Sequence, residues 1–268
     1  MAARKSGLTI GLVPTMGALH EGHGALMRRA REETGYVVAT IFVNPTQFDR
    51  PDDFQKYPRR IETDVAFCER LGVDAVFAPE VEEVYPSGEI SAAVEVADIS
   101  SRLEGEFRPG HFRGVATVVA KLFNIVAADR AYFGEKDAQQ LAVIQKMVAD
   151  LNFPVTIVPV PTVRESDGLA MSSRNQRLTP EQRRIAPVLY QALCAAEGSI
   201  RGGSRLTAEI KGEALNLLSR NPAMRIEYLE VVDPAAFQPV ETVAGDVRIT
   251  AAVWLGDVRL IDNVLVRC

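Results

Sequence analysis

Apolar and polar positions along the chain alternate between two periods. Residues 8–13 are a short apolar run that enters the turn Pro14-Thr-Met-Gly17, the pattern of a buried parallel strand. Residues 21–33 take helical spacing, with Leu26, Met27 and Ala30 on one face. Residues 37–43 are rich in β-branched residues and predict a second strand, followed by the loop Asn44-Pro-Thr. Residues 61–71 predict a helix with an imperfect apolar stripe, capped by Gly72, and residues 75–78 a third strand closed by Pro79. Pro/Gly punctuation from residue 79 to residue 111 predicts a functional loop or lid with a small strand at 92–96. A helix over 114–128, a strand at 131–133, a helix over 137–151 and a strand at 155–160 follow. Strands alternating with helices imply right-handed βαβ units and a parallel sheet, an α/β fold.

The pattern changes after about residue 170. Thr179-Pro-Glu-Gln opens a long helix, with Thr179 as N-cap, Pro180 at the first helical position and Gln182 completing a capping box. Residues 206–219 predict a second helix. Residues 225–232, 247–254 and 259–266 alternate like half-buried antiparallel strands. The expected organisation is a domain at 1–168 and a smaller α+β domain at 169–268.

Composition narrows the classes. The 268 residues are 47% apolar and 24% charged, the balance of a globular chain rather than a disordered or collagen-like one. A formal charge of −5 with no basic run argues against duplex nucleic acid as a partner and leaves room for a local phosphate pocket. Cys68, Cys194 and Cys268 are scattered singly, so neither a disulfide framework nor a thiolate zinc site is suggested. The run at 8–13 is too short for a signal peptide core. The longest apolar stretch, 114–128, contains Lys121 and falls short of the roughly 20 residues of a membrane span. The expectation is a cytoplasmic protein with no membrane anchor.

Chemistry concentrates in three places. All three histidines lie beside glycines, and two of them belong to Met16-Gly-Ala-Leu-His20-Glu-Gly-His23, between the first strand and the first helix. That carboxyl edge of a parallel sheet is where ligands bind, and a helix start with open N–H groups favours phosphate. Gly17 and Gly22 permit close backbone approach. The segment is neither a Walker A loop nor a Gly-x-Gly-x-x-Gly loop, and a His-x-x-His pair alone also fits a metal site or a structural role. The second place is Met171-Ser172-Ser173-Arg174, after the loop Val163-Arg-Glu-Ser-Asp-Gly168: two hydroxyls and a guanidinium suit a triphosphate. The third is Gly134-Glu135-Lys136-Asp137, where Lys136 adds a mobile positive charge and Asp137 suits a helix cap or a ligand to magnesium-nucleotide. A plain capped helix with a solvated lysine is the alternative there. Gln47 and Gln140 are placed to read a small substrate's hydroxyl or carboxylate, although glutamines at such positions are commonly surface residues. Together the first two elements resemble those of nucleotidylyl transferases and class I aminoacyl-tRNA synthetases, a resemblance that implies adenylyl transfer.

Residues 14–23 (PTMGALHEGH), 41–48 (IFVNPTQF), 108–117 (RPGHFRGVAT), 132–137 (YFGEKD) and 168–175 (GLAMSSRN) resemble the pantothenate synthetase (pantoate–β-alanine ligase) family, and the similarity runs on through 230–233 (EVVD) and 259–263 (RLIDN). The resemblance implies a Rossmann-like nucleotidylyl-transferase domain followed by a smaller α+β domain, and a magnesium-dependent homodimer. It implies that ATP and D-pantoate form pantoyl adenylate and pyrophosphate, and that the amine of β-alanine then displaces AMP to give pantothenate. By position, Met16, Gly17, Ala18, Leu19, His20, Glu21, Gly22 and His23, with Gly134, Glu135, Lys136, Asp137, Val163, Met171, Ser172, Ser173 and Arg174, would bind ATP. Gln47 and Gln140 would hold substrate. His23 matches the family's proton donor, and His20, Lys136, Ser172, Ser173 and Arg174 would stabilise charge on the phosphates. No residue is implied as a direct metal ligand by this match.

There are departures from the family pattern. A short leader precedes residues 9–13 where the family usually has an extra strand and helix. Thr46 stands where Met is common, Ala138 where an aromatic is common, and Gly24 where a larger apolar residue is usual. His111 fits either a substrate-ordering lid or a Pro-Gly turn. The competing readings are another nucleotidylyl transferase, a synthetase core, for which an appended basic domain is missing, and a catalytically dead nucleotide-binding module. The presence of His20, His23, Lys136 and Arg174 argues against the last.

Overall fold

A computed structural model describes residues 2–86, 88 and 91–268. The chain packs as two units, one made of residues 1–135 and 139–161, the other of residues 136–138 and 162–268.

The first unit is built on β1 (Ile10–Thr15), α1 (Glu21–Glu33), β2 (Tyr36–Ile41), α2 (Ile61–Arg70), β3 (Ala75–Phe77), α3 (His111–Val126), β4 (Arg130–Gly134), α4 (Ala138–Asp150) and β5 (Thr156–Val160). The five strands form one parallel sheet in the order β3-β2-β1-β4-β5. The central strand is buried almost throughout, as a strand covered on both faces must be. The face of α1 carrying Leu26, Met27 and Ala30 packs on Val13, Val37, Ala39, Tyr132 and Val160. Burying Leu26 and Met27 there is worth about 1.5–3 kcal/mol each. The Cys68 thiol lies in this core, where burial pushes its pKa up to about 11, so it is a packing residue and not a nucleophile.

The second unit contains α5 (Pro180–Ile185), α6 (Val188–Arg201) and α7 (Thr207–Ser219), with β6 (Met224–Val232), β7 (Val247–Leu255) and β8 (Val258–Val266) in an antiparallel sheet of order β6-β7-β8. Leu193, Ala196 and Ile200 of α6 and Ile210, Ala214 and Leu218 of α7 share a core with Ile249, Ala251, Val253 and Leu255. The Thr179 capping box is present: its Oγ1 accepts from the Gln182 N–H (3.2 Å), and Gln182 Oε1 accepts from the Thr179 N–H (2.9 Å).

Two sequence expectations are corrected. No strand forms at 92–96. The Val94 N–H instead donates to Thr117 Oγ1 at 3.0 Å, a side chain taking the place of a neighbouring strand. The long helix from residue 180 is two helices, broken at Ala186 and Pro187, because Pro187 has no N–H to continue the ladder and its ring crowds the preceding turn. Among the described residues, no helix is long and apolar enough to cross a membrane.

Candidate active site

The strand order reverses between β1 and β4: connections from β1 lead toward β2, and those from β4 toward β5. In open parallel sheets the carboxyl end at such a reversal is the ligand crevice. Residues 16–23 leave the end of β1, and Gly134 ends β4 with Glu135 opening the 3₁₀ turn after it, so the sheet brings these two motifs to one edge.

At the start of α1 the two histidines cap each other's backbone. His20 is the N-cap, in extended conformation, and its Nδ1 accepts from the Gly22 N–H at 3.1 Å, while His23 Nδ1 accepts from the His20 N–H at 3.3 Å. The rings lie 4.2 Å apart between centroids, tilted by 43°. An Nδ1 that accepts a backbone hydrogen bond leaves the proton of a neutral imidazole on Nε2. The capping box therefore selects the tautomer in which both rings are Nε2–H donors. It also revises the sequence argument for open N–H groups, since those of Gly22 and His23 are directed at the His20 side chain.

The loop before them is held by a residue the motif reading passed over. Asp64, on the first turn of α2 and 2% exposed, accepts from the Ala18 N–H through Oδ2 (2.8 Å) and from the Leu19 N–H through Oδ1 (2.8 Å). Gly17 and Ala18 are both left-handed, with φ of +80° and +50°. A Cβ on Gly17 would stand 2.9 Å from Asp64 Oδ2 and 3.1 Å from Ile41 Cγ2. What approaches Gly17 is thus this protein's own carboxylate and a strand side chain. The signal was present in the sequence: a charged residue one helical turn before buried Cys68, on the inward face of α2.

Gln47 is buried in a 3₁₀ turn after β2, its Oε1 accepting from Asn44 Nδ2 (3.0 Å) and its Nε2 directed at Met16 Sδ (3.0 Å). Asn44, 1% exposed, also donates to the Gly114 carbonyl (3.2 Å) and accepts from the Tyr85 hydroxyl (2.9 Å). Burial pushes the Tyr85 pKa up, so it stays a hydroxyl donor. His111 begins α3, and its Nδ1 lies 2.7 Å from the Gln47 carbonyl. It braces the Gln47 turn. Adjacent glutamines divide their work: Gln139 is buried and donates to the carbonyls of Ile99 and Arg102 while accepting from the Glu104 N–H, and Gln140 is half-buried on the same helix.

In the second unit, Ser172 Oγ accepts from the Arg174 N–H (3.3 Å) and caps the 3₁₀ turn Ser173–Arg177. The Met171 N–H donates to the Val163 carbonyl (3.0 Å), closing the loop between them. Lys136 Nζ lies 3.7 Å from Asp137 Oδ1. The Lys136 carbonyl accepts from Asn263 Nδ2 on β8 (3.0 Å). The neighbouring Asp262, 2% exposed, accepts two hydrogen bonds from Arg164 (2.6 and 2.9 Å), whose guanidinium stacks 3.7 Å above the Tyr190 ring. Asp262 and Asn263 therefore fasten both the Lys136 segment and the 163–171 loop. Strand alternation carried the clue, because Asp262 falls in register with inward-facing Val258 and Leu260.

The family profile for pantoate-beta-alanine ligase matches residues 1–265. The pantothenate synthetase of Moorella thermoacetica is 53% identical over 264 residues, covering 98% of this chain and 93% of its own length. That of Acidobacterium capsulatum is 55% identical over 257 residues, covering 96% and 86%. The crystal structure of pantothenate synthetase from Thermus thermophilus superposes with a TM-score of 0.92 at 49% identity, covering 96% of this chain and 92% of that one. The pantoate-beta-alanine ligase of Francisella tularensis, solved in complex with beta-gamma ATP and beta-alanine, gives a TM-score of 0.81 at 36% identity over 98% and 93% of the two chains. By sequence along its whole length and by fold, the chain belongs to the pantoate–β-alanine ligase family.

Proposed function

We propose that this chain joins D-pantoate to β-alanine at the expense of ATP, through a pantoyl adenylate. The observation that carries the reading is the reciprocal His20–His23 cap at the end of β1, which presents two Nε2–H donors in a member of this family. A pantoate carboxylate oxygen attacks the α-phosphorus of ATP, a new C–O–P linkage forms, the bond to the β-phosphate breaks, and pyrophosphate leaves. The amine of β-alanine then attacks the acyl carbon; a C–N bond forms, the C–O bond to AMP breaks, and the amine gives its proton to solvent. His20 and His23 donate Nε2–H hydrogen bonds to phosphate oxygens, with His23 stabilising the negative charge of the departing pyrophosphate. Lys136 and Arg174 supply positive charge, and the Ser172 hydroxyl, whose oxygen already accepts from Arg174 N–H, keeps its proton for a phosphate oxygen. Residues 16–23, 134–137, 163 and 171–174 form the nucleotide-binding set. Gln47 and Gln140 orient pantoate, so that catalysis rests on positioning and electrostatics without a covalent enzyme intermediate.

Magnesium enters with ATP. Asp137, half-exposed and paired only at 3.7 Å with Lys136, suits an ion that keeps most of its ligands from phosphate and water. The bound ion supplies neutralisation of phosphate charge. A cytoplasmic homodimer completes the proposal, with light scattering as the check on assembly.

The test is pyrophosphate release from magnesium-ATP and D-pantoate, with and without β-alanine. Sustained release with AMP and pantothenate formed only when all three are present is the expected result. Absence of turnover in a folded protein that binds ATP would overturn it. His23→Ala should lower turnover by about 10²–10⁴-fold.

A further inference from the structure

We infer that Asp64 is a positioning residue for the nucleotide: it shapes the loop that delivers His20 and His23, and does so from a different helix without touching substrate. The inference rests on the proposal that residues 16–23 bind ATP.

The argument begins with the backbone. Two successive residues, Gly17 and Ala18, are left-handed. Glycine enters that region without strain, but alanine does not, because its Cβ crowds the following carbonyl. A strained residue persists only where its surroundings over-determine it. Here the surroundings are one carboxylate. Its two oxygens take the Ala18 and Leu19 N–H groups at 2.8 Å each, in an interior where Asp64 is 2% exposed. Hydrogen bonds to a buried carboxylate are about twice as strong as neutral ones. Its own position is fixed by α2, where the Asp64 N–H donates to the Arg60 carbonyl at 2.9 Å and an acid on the first turn complements the helix dipole.

The bend so held ends one residue before His20, whose extended conformation lets Nδ1 cap α1. Release of Ala18 from the left-handed region would rotate the chain entering that cap, and with it both Nε2 donors. Asp64 also takes up the two N–H groups a phosphate would otherwise find on this loop, leaving imidazole as the anion-facing chemistry. The Gly17 requirement follows from the same contact, since any Cβ there meets Asp64 Oδ2 at 2.9 Å.

The test compares Asp64→Asn with His20→Ala and His23→Ala. Asparagine keeps the shape and one acceptor, but its NH₂ faces an N–H donor. For each folded variant, calorimetry measures the affinity for a non-hydrolysable ATP analogue with magnesium, and steady-state kinetics gives kcat/KM for ATP and for D-pantoate. Asp64→Asn should weaken the analogue and lower kcat/KM for ATP by about tenfold to a hundredfold, the consequence of one lost charge-assisted bond. Binding of D-pantoate alone should change by less than about twofold. If the histidine variants lose the nucleotide while Asp64→Asn keeps it, Asp64 has no positioning role. Equal weakening of both ligands by Asp64→Asn, with a lowered melting temperature, shows mere structural support and also overturns the inference. If the histidine variants bind the analogue normally, the assignment of the loop to ATP fails first, and this inference with it.

Discussion

Gly114 offers a case in which adding one methyl group should have opposite effects at two helical sites. On α3, a Cβ at Gly114 would stand 2.3 Å from the Thr46 carbonyl oxygen and 2.8 Å from Gln47 Cα, so the helix and the Gln47 turn meet backbone to backbone. Restoring the 3.4 Å of ordinary contact moves one of them by about 1 Å. The shift strains the two Asn44 hydrogen bonds, to the Gly114 carbonyl and to Gln47 Oε1. Overpacking costs about 1–3 kcal/mol, and each weakened hydrogen bond about 1 kcal/mol, so Gly114→Ala should lose roughly 3–5 kcal/mol. Gly212 on α7 has open space where its Cβ would go, and Gly212→Ala should gain about 0.5–1 kcal/mol from helix propensity alone. Urea unfolding of both variants measures these values. A displacement of about 1 Å at Gln47 should also lower kcat/KM for pantoate by roughly a hundredfold in the pyrophosphate assay. Wild-type stability and wild-type kcat/KM in Gly114→Ala would refute the reasoning, as would equal destabilisation by Gly212→Ala.

Asp262→Ala leaves the Arg164 guanidinium, itself only 18% exposed, without its counter-ion and should cost about 3–5 kcal/mol; an unchanged urea midpoint would refute this. Glu33 is held below the usual carboxylate range, first by its hydrogen bond to Arg29 and further by Arg130 and Tyr132. Its unfolded form binds the proton more readily, so its contribution is complete above the unfolded pKa and disappears as pH falls through the folded one. Glu33→Gln should therefore flatten the acid limb of the stability curve below about pH 4.5, and an unchanged limb would count against the pairing. Gln140→Ala should weaken pantoate more than ATP, whereas Gln139→Ala should instead expose the 99–104 backbone to hydrogen exchange by removing its three hydrogen bonds to that segment. Matching kinetic losses in the two variants, with no change in exchange, would show that the adjacent glutamines do not differ in this way.

The parallel sheet was legible because its strands are short apolar runs, buried in the three central strands, and α1 because its apolar spacing and polar start agree. The strand expected at 92–96 failed because β-branched residues also suit an extended segment whose backbone is satisfied by a side chain, here Thr117. The helix break at Pro187 was written in the sequence but outweighed by apolar spacing that continues on both sides of it. At the candidate site, the motifs named His20, His23, Lys136 and Arg174 as residue types suited to phosphate. They did not reveal that the histidines cap one helix through Nδ1, nor that Asp64, 46 residues from Ala18 along the chain, holds the loop. Local sequence records which groups are present; long-range pairing decides which of their hydrogen-bonding positions remain open.

Lys136–Ala138 belong to one unit while the chain on both sides of them belongs to the other. The two units are not two stretches of polypeptide, and no single cut separates them. A fragment ending at residue 161 would carry Lys136 but lose Asn263, which holds its carbonyl. The complementary fragment would keep the Asn263 amide and lose the acceptor it donates to. Expression of either piece alone would therefore remove this hydrogen bond beside the lysine. A two-piece complementation experiment would have to carry residues 136–138 twice.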